Sequence, residues 1–467
     1  MSFKYQAQKI NDNHYILPRI GGMRTDVHAF FSEALYEASE EAVWEQVVNG
    51  ASYDGVIQAY LMPDAHSGFG VPIGSVIVTD STLIQAGSGF DISCGLLAMK
   101  VPGITVENIV DKSIRRKWID EVEKRVATGL GIKKSLLTKS FSTSQIKDVL
   151  RFGSKALGGA KDLFERQYIE IPDDVDVSKL EAAFEKGCGQ LGSLGSGNHF
   201  IELQVDTEGN VWVMFHTGSR GYGYKTAEHF FYAGAEARGL PKNRREESWV
   251  YLNEDIGREY WAHHNSAANF AIANRYVIAL GVQEALQEVF GVSGEIYYDI
   301  SHNLVQEEYI QDINGGFKKG FVHRKGATRA FPIGHPGLNG SKWMLSGHPI
   351  IIPGSMSDGA AIAFPSNGAY KSGYSVNHGS GRILARGEAR RQFEGLQDIL
   401  NSEMDDIKRS FSGVTVEGIL SNQQNIPADE SKHVYKNLDV VLDVLQQEDI
   451  AHVKYRMYPV ANIKGKD

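Results

Sequence analysis

The sequence predicts an α+β fold, with central β-sheets surrounded by helices and a candidate site at the strand ends. Three observations carry this. Short β-rich runs bounded by glycines alternate with longer helical patterns. The chain holds 50 glycines in 467 residues, about 11% against a usual ~7%. Its histidines recur at the ends of the predicted strands, beside those glycines. Gly accepts φ > 0 without steric cost, so such a load without low-complexity repeats predicts many tight turns.

The predicted strands are Gly74–Thr79, Gly95–Val101, Ile201–Val205, Val211–Phe215 and Glu295–Ile300. Val211–Phe215 is apolar throughout, as expected of a strand buried on both faces. Helical patterns fall near Phe30–Val48, Val106–Ala127, Ser248–Phe290, Glu388–Phe411 and His433–Gln447. In the last, Val434, Leu438, Val441, Leu442 and Leu445 keep helical spacing. Residues 106–158 are charged and helical between glycine-rich stretches, and read as a helical insertion. A length prior of roughly 150 residues per domain suggests three domains. With no clean linker and no repeat, a single unit over 1–467 is the preferred reading.

A net charge of −9 argues against a protein that coats nucleic acid, though not against a local basic groove. Two cysteines, Cys94 and Cys188, cannot build a disulfide framework, which favours a reducing compartment. The N-terminal run lacks an apolar signal core, and no stretch approaches the ~20 apolar residues of a membrane span. A soluble cytoplasmic protein is expected.

The segments with chemistry are MPDAHSGFG (Asp64, His66), GSGFDISCG (Asp91, Cys94), GSLGSGNHFIEL (Asn198, His199, Glu202), FHTGSRG (His216, Arg220), DISHN (His302) and VNHGSGR (His378, Arg382). A thiol, a carboxylate and several imidazoles suit a divalent transition metal better than magnesium. Asp91 and Cys94 are three apart and can face one centre from a tight turn; the others lie tens of residues away. One histidine at a strand end is ordinarily structural, and a lone cysteine is usually a small buried hydrophobe. Five such sites set in Gly and Ser point to a shared metal centre, with independent structural roles as the alternative. Glycine-rich turns also make anion-binding nests, and Arg220, Lys325 and Arg382 stand in or beside them. Solvated surface cations are the plainer reading of each.

Together with HNLVQEE, HRKGATRA, IIPGSM and the C-terminal PVANIKG, these segments resemble, in order, the motif series of the RtcB family of RNA ligases. The resemblance runs from about residue 60 to residue 465. It implies joining of RNA 2′,3′-cyclic phosphate or 3′-phosphate ends to 5′-hydroxyl ends, with GTP and two Mn²⁺ ions, through a guanylyl-histidine intermediate, in RNA repair or tRNA splicing. Some family members also use an activating protein partner. By this resemblance His378 matches the guanylylated histidine, and Asp64 the aspartate bonded to its other nitrogen. Asp91, Cys94, His199, His216 and His302 match the metal ligands, with Cys94 at the bridging position. Asn198, Glu202, Ser355, Gly379, Gly381, Tyr435 and Lys464 match guanylate-contacting positions. Arg220, Lys325 and Arg382 match positions where basic side chains handle phosphates, of RNA or nucleotide. After IIPGSM the chain departs from the pattern: it reads Ser357, Asp358, Gly359, Ala360, so that Ala360 replaces a serine that helps hold the guanine. Ser380 also stands where the family usually has Ala. A metal-dependent RNA cyclic phosphodiesterase of the same fold, which never ligates, is the alternative reading, supported by Ala360. An RNA-end-binding module is the non-enzymatic one.

Overall fold

The computed structural model describes residues 2–129, 141–311 and 315–465. Two large sheets carry the site. The first has seven strands in the order Gln8–Asn11, His14–Leu17, Val27–Ala29, Val56–His66, Ile73–Thr79, Phe317–Lys325, Asn303–Gln311. The path of the second is Glu295–Ser301, Gly95–Thr105, Asn210–Thr217, Phe200–Asp206, Ala451–Lys464, Ala360–Pro365, Ile350–Pro353. Among the described residues of these two sheets, pairing is antiparallel except where Val27–Ala29 meets Val56–His66 and where Leu420–Ser421 joins Ala451–Lys464.

All five predicted strands are present, and Asn210–Thr217 is buried from Val211 onward between two neighbours, as its apolar run predicts. The register aligns them usefully. Phe200 lies opposite His216 and Lys464; His216 lies opposite Leu96, and Leu96 opposite Ile300. The residues one or two steps beyond this row, Cys94, His199 and His302, therefore emerge at one end of the second sheet. His302 is the single residue between Glu295–Ser301 in the second sheet and Asn303–Gln311 in the first. It stands where the chain crosses from one sheet to the other.

The helices differ in detail from expectation. The Phe30–Val48 pattern is two helices, Glu33–Ala38 and Glu41–Ala51. The first is capped by the Ser32 side chain and stops at Ser39, which is extended. Ser248–Phe290 resolves into a short strand, Trp249–Tyr251, and one long helix, Asp255–Phe290. Glu388–Phe411 is not one helix. Arg386–Gln392 and Gln397–Asp405 are separate, and Lys408–Phe411 is a strand paired with Val414–Glu417 across Ser412–Gly413. That Ser-Gly pair takes φ of 47° and 87°, the left-handed geometry of a tight hairpin, which favours period-two pairing over a helix. The helix Arg220–Ala237 escapes sequence reasoning because Gly221, Gly223 and Gly234 lower its propensity. Within 106–158, Lys112–Arg125 and Thr143–Phe152 both pack on the long helix; residues 130–140 lie outside the described set.

Candidate active site

Asp91, Ser93 and Cys94 form the first wall. Cys94 N–H donates to Asp91 O at 3.0 Å, closing a turn in which Ser93 adopts φ of 57°. A serine in the left-handed region is held by its surroundings, here by Ser93 N–H to Asn303 O and a 2.7 Å contact between the Ser93 and Ser301 hydroxyls. The turn aims the carboxylate and the thiol at one point. Gly218 is needed opposite: a Cβ there would lie 2.2 Å from an Asp91 carboxylate oxygen. Behind the turn, buried Arg275 of the long helix pairs with Asp299 and donates to Ser93 O and Thr217 O. One guanidinium thus ties together the loops bearing Cys94 and His216.

Three imidazoles complete the cluster. His199 donates Nδ1–H to Leu194 O at 2.9 Å, which turns its Nε2 toward Asp91 Oδ2 at 3.0 Å and Cys94 Sγ at 3.4 Å. His216 Nε2 lies 3.1 Å from Cys94 Sγ and 3.1 Å from His302 Nε2. Two triads result, Asp91–Cys94–His199 and Cys94–His216–His302, sharing the thiol. Burial, then the neighbouring imidazoles, hold His216 and His302 well below the ordinary histidine range, so both are neutral. Burial and the Asp91 carboxylate push the Cys94 thiol up. Burial works against the Asp91 carboxylate too, but His199 and Arg220 outweigh it and hold it well below the usual range. Thiol, imidazole and carboxylate ligand atoms that converge, in each triad, within 4.8 Å of one another are what a divalent transition metal binds, and the set fits a metal site.

His378 stands beside this cluster, its ring 4.8 Å from that of His302. Its Nδ1–H donates to Oδ2 of Asp64 at 2.6 Å, and its backbone N–H reaches the same oxygen at 3.3 Å. Asp64 is fully buried. With Nδ1 protonated and bonded to a carboxylate, Nε2 is the ring's lone-pair nitrogen. The NHGSGR turn passes directly over Asp64: Gly381 has φ of 77°, and a Cβ there would meet Asp64 O at 2.2 Å.

A cavity of about 270 Å³ opens from His378. Asn198, Glu202, Ser355, Gly379, Gly381, Arg382, Tyr435 and Lys464 line it, together with His216 of the metal cluster. Glu202, pushed up to about 7 by burial, accepts from Gln204 and from Asn462. Lys464 Nζ and Tyr435 O–H both reach Glu430 Oε2 at 2.7 Å, and the Arg382 guanidinium lies 5.1 Å over the Tyr435 ring. Sequence reasoning missed Glu430 and Arg386, which also line this cavity and pair at 2.8 Å. Arg386 opens the charged run RGEARRQ, which reads as a solvated helix face, and Glu430 sits in a one-turn helix without a motif. Ala360 is absent from the cavity wall. It is buried in the second sheet's core opposite Met457, so the missing hydroxyl falls outside the cavity.

The three basic residues divide. Arg382 lines the cavity. Arg220, at φ of 53°, begins its helix with its guanidinium 3.3 Å from His199 Nδ1. Lys325 lines an adjoining cavity with Asp91, Cys94, His302 and His378, but its Nζ donates to Phe69 O and Val71 O. In this structure Lys325 anchors the 69–71 loop, and burial lowers it to about 7.

Residues 46–465 match the family model described as tRNA-splicing ligase RtcB. The tRNA-splicing ligase RtcB of Thermococcus kodakarensis is 34% identical, with 95% of each chain covered. That of Archaeoglobus fulgidus is 32% identical over the full length of both. The RNA-splicing ligase RtcB of Mycobacterium bovis is 32% identical, covering 90% of this chain and all of that one.

Proposed function

The chain belongs to the RtcB family of ligases, and from that premise we propose that it is a GTP- and manganese-dependent RNA ligase. It joins RNA ends bearing a 2′,3′-cyclic phosphate or 3′-phosphate to ends bearing a 5′-hydroxyl. The observation that supports this most is the pairing of His378 with buried Asp64 at the mouth of a cavity adjoining the metal cluster. The carboxylate fixes the tautomer, and Nε2 faces chemistry as a neutral nucleophile.

His378 Nε2 attacks the α-phosphorus of GTP, the bond to the bridging oxygen breaks, and pyrophosphate leaves. The phosphoramidate then passes GMP to the RNA 3′-phosphate, and the 5′-hydroxyl oxygen displaces GMP. A cyclic phosphate is first opened by water. Asp91, Cys94 and His199 would hold one manganese ion and Cys94, His216 and His302 a second, and the metal charge would offset that of the phosphate oxygens. Glu202, Ser355, Tyr435 and Lys464 seat the guanylate, while Arg220 and Arg382 face its phosphates and those of the RNA. Among the described residues no helix is long and apolar enough to cross a membrane. A reducing cytoplasm suits the buried free thiol of Cys94.

Product analysis on an RNA carrying a cyclic phosphate and a 5′-hydroxyl, with Mn²⁺ and with or without GTP, tests the reading. A joined product only with GTP is expected. Opening to the monoester with no joining under either condition would establish the phosphodiesterase instead.

A further inference from the structure

A second cavity, of about 520 Å³, shares no lining residue with those at His378. Its size is within the ~300–1,000 Å³ of small-molecule sites. Lys155, Lys161, Arg166 and Arg329 face it against only two carboxylates, Asp162 and Glu165. The wall is thus basic in a chain whose net charge is −9. Aromatic rings complete it: Tyr168, with Lys155 Nζ 5.0 Å from its ring centre, and Trp343 with Phe164 and Tyr298.

Two donors in this wall are buried and lack a partner among the described residues: Arg166 Nε and Trp343 Nε1. Arg166 spends only Nη2, on Glu308 at 3.1 Å. Buried donors without acceptors are costly and mark a place where an acceptor belongs. Cations answer a phosphate, and planar rings answer a base.

The cavity is also tied to the reaction centre. Tyr298 lies on the strand that ends at Ser301, four residues before His302, a separation of about 13 Å at the rise of a strand. Glu165 accepts from Ser301 N–H at 3.0 Å, so the wall and the His302 loop share a hydrogen bond.

We propose that this cavity binds a phosphorylated nucleoside, its phosphate on Arg166 and Lys161 and its base against Tyr168 and Trp343. Within the RNA-ligase reading, on which this assignment of the source rests, it is a nucleotide of the RNA strand a few positions from the end being joined. A free nucleotide has the same chemistry.

Photocrosslinking of the full chain separates the two sources. The probes are a 12-nucleotide 4-thiouridine RNA ending in a 3′-phosphate, and 4-thiouridine monophosphate. Crosslinks are mapped by mass spectrometry, and affinity is compared with Lys155→Glu/Lys161→Glu, whose side chains are exposed, and with Trp343→Phe, which keeps an aromatic ring and removes the N–H. RNA adducts at Tyr168 or Trp343 are expected, with binding about tenfold weaker in the double variant and a shallower salt dependence. The GTP-dependent adduct on His378 should form equally in every variant. Adducts there from the monophosphate alone assign the site to a free nucleotide. Adducts from neither probe, or equal affinity in wild type and double variant, overturn the proposal. Adducts in this cavity with no guanylylation of wild type would leave it standing and sink the ligase reading.

Discussion

Asp64 is fully buried, and the His378 ring donates to its Oδ2. An asparagine keeps the shape and loses both the charge and the requirement that Nδ1 carry the proton. Asp64→Asn should therefore slow transfer of GMP to His378 by about 10- to 100-fold, as loss of an orienting partner does. Rapid-quench single-turnover kinetics will read this, with the far-ultraviolet circular dichroism unchanged. Some of this residue-scale chemistry is legible in sequence. Asp91 and Cys94 sit in one tight turn, as their spacing of three suggests. The convergence of His199, His216 and His302 on that turn spans more than 200 residues and follows from sheet register, which spacing cannot express. Only the ordered resemblance to a family brings them together on the page. Glu430 and Arg386 lie beyond both routes, since a carboxylate in a single turn and an arginine in a charged helix look like solvated surface.

Elements with strong period, the long helix Asp255–Phe290 among them, are legible in the sequence, whereas the inward roles of their polar residues are not. The long helix Asp255–Phe290 buries His264, Asn265, Asn269, Asn274 and Arg275 completely, so its hydrophobic pattern understates what it holds. Asn269 is its clearest anchor. Its side-chain oxygen accepts from Ile169 N–H at 2.6 Å, and its amide donates to Leu150 O, Arg151 O and Ile169 O. Asn274 does the same for Gly192, Ser193 and Gly218, which flank His199 and His216. Removing the Asn269 amide leaves several buried backbone groups unpaired, and Asn269→Ala should cost roughly 3 kcal/mol in urea unfolding. The Arg220–Ala237 helix makes the converse point. Its glycines argue against a helix locally, and packing against the long helix and Glu181–Cys188 decides otherwise.

Across the whole molecule, the two sheets meet at the reaction centre, and the strand Ala451–Lys464 runs through the middle of the second sheet, between Phe200–Asp206 and Ala360–Pro365. The last motif of the chain is thereby brought beside one near residue 200. Such weaving buries histidines as neutral acceptors. His323 Nε2 accepts from Ile84 N–H at 2.9 Å and His264 Nε2 from Val305 N–H at 3.3 Å; burial lowers both to about 4. Their unfolded value near 6.5 is higher, so the unfolded chain binds more protons between pH 6.5 and 4. Stability present above pH 6.5 is therefore lost as pH falls through that window, at roughly 1 kcal/mol per pH unit for each ring. The melting temperature should fall steeply from pH 6.5 to pH 4.5, and less steeply in His264→Gln when each is compared with its own value at pH 7.5. The central claim concerns a single nitrogen, and intact-mass spectrometry after incubation with Mn²⁺ and GTP, without RNA, tests it most directly. Wild type should gain one GMP, ATP should not substitute, and both His378→Ala and metal-stripped protein should stay at the unmodified mass. A GMP adduct that persists in His378→Ala would contradict the account.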